Sequence, residues 1–232
     1  MNKTYAISDL HGQYNLWAQV RDYLDDTDRC YVLGDCIDRG PDGYKILKEV
    51  LADNRCLFII GNHEDMMVNY FNTGAISDKL LWFHNGGEAT YEACKDDPEL
   101  EEIVDKLIDA PNKLTYNNIF LTHAGFTPGV DYDDEDLIWD RNHIYDRWWA
   151  DEKMELYSLH GHTPIPALKE MLTELNRFQG VETETFSIYE DVEMRYCGGH
   201  KICIDAGCFM THKIGLFNLD TLEVEEVFYE VC

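Results

Sequence analysis

The sequence predicts an α/β fold organised on a mainly parallel sheet, and three observations predict it. The first third alternates short apolar runs with segments of helical periodicity, in the order β-α-β-α-β. Each of those apolar runs stops at a compact charged cluster: Asp9-Leu10-His11-Gly12, then Gly34–Gly40 (GDCIDRG), then Gly61-Asn62-His63-Glu64. The 232 residues are 45% hydrophobic and 12% aromatic, enough to bury a substantial core. No repeat, low-complexity tract or linker interrupts them, so one domain over 1–232 is expected.

Taken in order, Lys3–Ser8 reads as a buried strand. Tyr14–Leu24 follows, with Leu16, Trp17, Val20, Tyr23 and Leu24 on one helical face. Cys30–Leu33 is the second strand and runs into GDCIDRG. Pro41 and Gly43 then precede a helix with Ile46, Leu47, Val50 and Leu51 inward. Cys56–Ile60 is the third strand, and a helix over Asp65–Phe71 is expected after GNHE. Asn72–Leu107 reads as helical, broken at Asn85-Gly86-Gly87 and Asp97-Pro98. Lys113–Tyr116 and Ile119–Thr122 read as a hairpin around Asn117-Asn118, which tolerate positive φ. The hairpin leads to Thr122-His123-Ala124-Gly125. Beyond it come the acidic loop Asp131–Asp136, Leu137–Arg141 (LIWDR), a helix expected through Trp148-Trp149, and Leu159–Thr163 (LHGHT). Residues 165–200 show a helical start and then strand-like pieces. They are longer than a compact connection needs, so an insertion or flap is expected at about 165–200. Ile202–Asp205, Ile214–Leu219 and Val224–Tyr229 read as strands of a second sheet.

The formal net charge is −26, from 45 acidic against 19 basic residues, which disfavours binding to nucleic-acid backbones. The eight cysteines form no C-x-x-C pair and lie mostly in apolar runs, as expected of buried thiols in a reducing compartment. No apolar run reaches the length of a membrane span, and MNKTYAISDLHG lacks a signal-like apolar region. A soluble cytoplasmic protein with no membrane partner is therefore expected. The oligomeric state is not legible.

The clusters carry a chemistry. Asp9, His11, Asp35, Asn62, His123 and His162 stand at strand ends, where open α/β sheets build their sites. Carboxylate, imidazole and amide oxygen together suit first-row transition metals better than Ca²⁺ or Mg²⁺. Six ligands are too many for one catalytic ion that keeps positions open, and they suit two ions sharing a bridging carboxylate, assigned to Asp35. Arg39 can hold an anion in its guanidinium fork.

GD35xxD38R39G, GN62H63E64, D9xH11G, H123AG and GH162T occur in the order found in the phosphoprotein phosphatase (calcineurin-like) metallophosphoesterase family, which the chain resembles over about Ala6–Leu219. LIWDR141 and NGGEAT (Asn85–Thr90) resemble it too. The resemblance implies a four-layer α/β/β/α sandwich of two mixed β-sheets flanked by helices, the metallo-dependent phosphatase fold. It also implies a dinuclear centre of Mn²⁺ or Fe, with Zn²⁺ compatible. One ion would take Asp9, His11 and Asp35, and the other Asp35, Asn62, His123 and His162. Attack on phosphorus would come directly from a hydroxide bridging the ions. His63 would be the general acid and Asp38 its hydrogen-bond partner. Arg39, Asn62 and Arg141 would bind substrate phosphate. His160 reads as structural, and His84, His143, His200 and His212 as ordinary polar residues. Arg147 is a weaker phosphate candidate than Arg141. Trp139, Trp148 and Trp149 are expected in the core or along the cleft.

The resemblance implies hydrolysis of phosphate monoesters, with a bacterial-type serine/threonine protein phosphatase as first reading and a phosphoprotein or small phosphomonoester as substrate. The related symmetrical bis(5'-nucleosyl)-tetraphosphate hydrolases often depart from GDxxDRG and carry Asp after GNH, whereas this chain keeps Asp38 and has Glu64. A non-catalytic metal-binding scaffold would be expected to have lost a ligand or the acid, and none is missing.

Overall fold

The structure is a computed structural model that describes residues 2–127, 129–146, 155–179 and 186–230. It opens with the expected alternation: β1 (Thr4–Ile7), α1 (Tyr14–Tyr23), β2 (Arg29–Val32), α2 (Gly43–Ala52) and β3 (Cys56–Phe58). Four helices follow, α3 (Asn62–Thr73), α4 (Ile76–His84), α5 (Glu88–Cys94) and α6 (Leu100–Ile108). The hairpin β4 (Lys113–Tyr116) and β5 (Ile119–Thr122) turns at Asn117, whose φ is 50°. Then come α7 (Asp136–Trp139), a 3₁₀ turn at Asn142–Ile144, β6 (Tyr157–His160) and α8 (Ile165–Gln179). The chain ends with β7 (Ser187–Tyr189), β8 (Glu193–Tyr196), β9 (Lys201–Cys203), α9 (Cys208–Thr211), β10 (Lys213–Asn218) and β11 (Glu223–Tyr229).

Two mixed sheets result. One has the order β11-β10-β1-β2-β3 and the other β4-β5-β6-β9-β8-β7. The period-two alternation of side chains gives each sheet two apolar faces. In β1, Tyr5 and Ile7 join Leu16, Trp17 and Val20 of α1 and Ile46, Leu47 and Val50 of α2, while Ala6 faces the other way. Ala6 meets Leu33, Ile59, Leu121, Leu159, Ile202 and Phe217 in the core between the sheets. On the far side, Leu168 and Leu172 of α8 pack on Met194, Tyr196 and Cys203. Helices, sheet, sheet and helix thus stack as the implied four layers. Among the described residues, no helix is long and apolar enough to cross a membrane.

Two expectations change. Asn62, His63 and Glu64 belong to the first turn of α3 and do not precede it, because Glu64 reaches back to accept the Gly61 N–H and caps the helix there. Strands β10 and β11 do not extend a second sheet. β10 pairs antiparallel with β1 and so completes the first sheet, burying Ile214 and Leu216 on the helix side and Phe217 toward the other sheet. Within 165–200, α8 covers the second sheet, and β7 and β8 pair within it. Glu182 and Glu184 of that segment lie outside the described residues, as do Arg147, Trp148 and Trp149 and the helix expected through those tryptophans.

Candidate metal centre

The site begins as backbone. The loops after β1 and β2 are zipped together: the Asp9, His11 and Gly12 N–H groups donate to Gly34, Asp35 and Cys36 carbonyls at 3.2, 2.9 and 3.0 Å, and Gly40 N–H returns to the His11 carbonyl at 3.0 Å. Gly34 has φ +82° and lies so close to the start of α3 that a Cβ there would sit 2.5 Å from the Gly61 Cα. Only glycine fits that crossing. Asp9, His11, Asp35, Asp38, Arg39 and His162 all have φ between 42° and 69°. Left-handed backbone at non-glycine residues costs free energy and persists only where surrounding structure imposes it, typically at functional sites.

These turns aim side chains at one buried point. His11 Nδ1–H donates to the Ile37 carbonyl at 2.9 Å and His123 Nδ1–H to the Leu33 carbonyl at 2.6 Å, which leaves each Nε2 as a bare lone pair facing inward. His123 Nε2 meets Asn62 Oδ1, a second acceptor, at 3.0 Å. His162 Nδ1 lies 3.0 Å from the same oxygen and 3.2 Å from His123 Nε2, and it has one proton at most to offer. That one proton leaves the His123 Nε2 and Asn62 Oδ1 lone pairs facing each other at 3.0 Å, a contact that a cation among them would relieve. Asp35 is shared, with Oδ2 3.6 Å from His11 Nε2 and Oδ1 3.4 Å from His123 Nε2. Asp9 and Asp35 are each 2% exposed, and burial drives the Asp35 pKa well above its usual value despite nearby His63. Burial, with the charges of His63 and Arg39, holds the His11 pKa well below the usual imidazole range. Burial and His123 do the same to His162. Neutral imidazoles, buried carboxylates and an amide oxygen are the donors a transition metal requires, and they fit one.

Among the described residues, two groups have donor atoms mutually close enough to hold an ion: Asp9, Asp35 and His123, and His11, Asp35 and His63. Asp35 belongs to both. His63 was expected only as an acid, yet its Nε2 comes within 3.8 Å of Asp35 Oδ2. Its Nδ1 lies 2.7 Å from Asp38 Oδ2, and Trp82 Nε1–H donates to that same oxygen at 2.9 Å. Burial pulls the His63 pKa down, but Asp35 and the Asp38 hydrogen bond outweigh it and the net shift is upward. Arg39 Nη2 stands 3.2 Å from His63 Nε2, and its guanidinium lies 4.6 Å over the Phe209 ring. Arg141 is exposed, and the protein packed around it lowers its pKa while Asp205 and Asp35 act to raise it.

Several residues were missed in the sequence. Glu64, fully buried, accepts the Asp35, Cys36, Ile37 and Gly61 N–H groups and so moulds the GDCID turn. Trp82 and Phe209 left no signal, being aromatic residues in apolar company. Asp205, in KICIDAG, is buried and accepts the Gly207 N–H at 2.8 Å. Its pKa is pushed well above the usual range by burial and by Asp9. A lone acid in an apolar strand was the available clue. The remaining histidines belong to neither donor group. His160 and His143 are buried and hydrogen-bond the Tyr196 hydroxyl at 2.8 and 3.1 Å, His200 meets the Leu156 carbonyl, His212 pairs with Glu230, and His84 is exposed. Trp139 is half-buried beside Asp65. The cysteines among the described residues are free, and all but Cys56 are buried.

The calcineurin-like phosphoesterase family model matches residues 3–202. The chain belongs to that family. Among its relatives is serine/threonine-protein phosphatase 2 of Escherichia coli, 30% identical over 139 residues that cover 55% of this chain and 60% of that one. Another is the symmetrical bis(5'-nucleosyl)-tetraphosphatase of Erwinia tasmaniensis, 26% identical over 140 residues that cover 55% of this chain and 46% of that one. The chain thus spans less than two thirds of either relative's length. A solved metallophosphoesterase from Sphaerobacter thermophilus superposes with a TM-score of 0.56 at 16% identity, covering 100% of this chain and 88% of that one. That likeness shows the fold.

Proposed function

We propose that this calcineurin-like chain hydrolyses phosphate monoesters, with serine/threonine phosphoproteins as its substrate class. The observation that carries the reading is the buried Asp38–His63 pair at 2.7 Å. A serine or threonine alkoxide is a poor leaving group and needs a proton as it departs, whereas the nucleoside diphosphate or triphosphate released from a dinucleoside tetraphosphate hardly needs one. A held acid is therefore worth most to a monoesterase. The net charge of −26 also disfavours polyanionic substrates.

Asp9, His11, Asp35, Asn62, His123 and His162 would hold two transition-metal ions, with Asp35 serving both. Such ions neutralise phosphoryl oxygens and make water acidic enough to supply hydroxide near neutral pH. The chain's own residues do the rest. Asp38 fixes the His63 tautomer by accepting from Nδ1, so the proton to be given away sits on Nε2. Trp82 holds Asp38 in turn. Arg39 and Arg141 present guanidinium forks to the non-bridging phosphoryl oxygens and hold them alike in the bound ester and in the transition state. An anion that draws Arg39 away from His63 Nε2 frees that nitrogen to carry the proton.

The test compares turnover of a phosphoserine peptide, p-nitrophenyl phosphate and diadenosine tetraphosphate by Mn²⁺-loaded protein. The reading predicts that the peptide has the highest kcat/KM. A higher value for diadenosine tetraphosphate would transfer the assignment to the tetraphosphatase branch.

A further inference from the structure

A lysine has no place in an apolar layer unless its charge is answered, and Lys201 is 0% exposed. It sits on β9, opposite Ser158 of β6, in the second sheet. Its ammonium donates to Thr127 Oγ1 at 3.1 Å, to the Asp146 carbonyl at 2.9 Å and to the His143 carbonyl. These acceptors belong to two loops that carry the site. Thr127 lies four residues beyond His123, and His143 two beyond Arg141. The His143 carbonyl belongs to the 3₁₀ turn that starts immediately after Arg141, so the ammonium satisfies carbonyls at the C-terminal side of that turn. The two loops also touch directly. Gly125 has φ +117°, and a Cβ there would lie 2.3 Å from the His143 ring. The Phe126 N–H donates to Ser158 Oγ at 3.2 Å, tying the first loop to the same strand pair.

We infer that Lys201 is a positioning residue for substrate phosphate: its ammonium ties the Arg141 turn to the His123 loop and sets the reach of the Arg141 fork. The inference rests on the reading of Arg141 as a phosphate clamp. Three bonds from one cation to two loops determine where the turn sits. Without the cation, the His143 and Asp146 carbonyls and the Thr127 hydroxyl lose their shared donor, and nothing else ties the turn to the His123 loop through that point.

Lys201→Met keeps the length of the side chain and removes the charge. On Mn²⁺-loaded protein, steady-state kinetics with p-nitrophenyl phosphate and competitive inhibition by inorganic phosphate separate the possibilities. The expected result is a rise of about tenfold in both KM and the phosphate Ki, the worth of roughly one charge-assisted hydrogen bond, with kcat changed less than about threefold and metal content unchanged. Arg141→Ala should shift the same two constants. The Lys201→Met/Arg141→Ala double variant should be no worse than Arg141→Ala within about twofold, because both remove one interaction. Thr127→Val removes a single acceptor, so it should shift KM and Ki in the same direction by less, and it carries the test if Lys201→Met does not fold. An unchanged Ki in whichever of these variants folds, or additive effects in the double variant, would overturn the proposal while leaving the Arg141 clamp standing. If Arg141→Ala itself leaves KM and Ki unchanged, the clamp reading falls and the proposal falls with it.

Discussion

Replacing Asp38 by Asn tests the proton-donor assignment with little change of shape. Asp38 is wholly buried, its Oδ2 lies 2.7 Å from His63 Nδ1, and it also takes the Trp82 N–H. The amide can still accept one of those two donors through its oxygen, but it carries no charge to favour a protonated His63. A hydrogen bond to a charged group contributes about 1.5–3 kcal/mol, which at about 1.4 kcal/mol per decade gives a loss of roughly 10- to 150-fold in kcat. The loss should appear in full with phenyl phosphate, whose leaving group needs a proton, and nearly vanish with p-nitrophenyl phosphate. Metal content should stay at the wild-type level, because Asp38 is in neither group of candidate ligands around Asp35. Stopped assays on both substrates, with elemental analysis of the same preparations, measure this. Equal losses on the two substrates, or loss of metal in parallel with activity, would refute the reasoning.

Other expectations follow from the same geometry. Protein loaded with Mn²⁺ should carry about two ions per chain by elemental analysis, and Asp35→Asn should lower that content more than any other single ligand change, since Asp35 belongs to both donor groups. His63→Asn should lower kcat by about 10²–10⁴ with a poor leaving group, a larger effect than Asp38→Asn because it removes the donor itself. Glu64→Ala orphans buried N–H groups at Asp35, Cys36, Ile37 and Gly61, so chemical denaturation should show a loss of at least about 3 kcal/mol, with Glu64→Gln in between. Phe209→Ala frees the Arg39 guanidinium from its ring, and KM for p-nitrophenyl phosphate should rise about two- to fivefold, the worth of a cation–π contact near the surface.

Much of this molecule was written in local order. β1 through β3 with α1 and α2 follow from apolar runs and helical spacing, because each buries its face against a near neighbour in the chain. Asp9, His11, Asp35, Asn62, His63, His123 and His162 could be singled out in the sequence because polar residues at the ends of apolar runs have little use in packing. Long-range pairing was not legible. β10 joins β1 across most of the chain, and nothing in Lys213–Asn218 specifies its partner until both sheet faces exist to cover it. Nor could spacing show that residues after α8 add β7 and β8 to the second sheet, since short half-apolar strands read alike in a sheet or beside one. Glu64 and Lys201 show the limit most clearly. Each is a charged residue in a sequence full of exposed ones, and only the tertiary structure removed water from around them. Once buried, they had to bond to the backbone of the loops that hold the site.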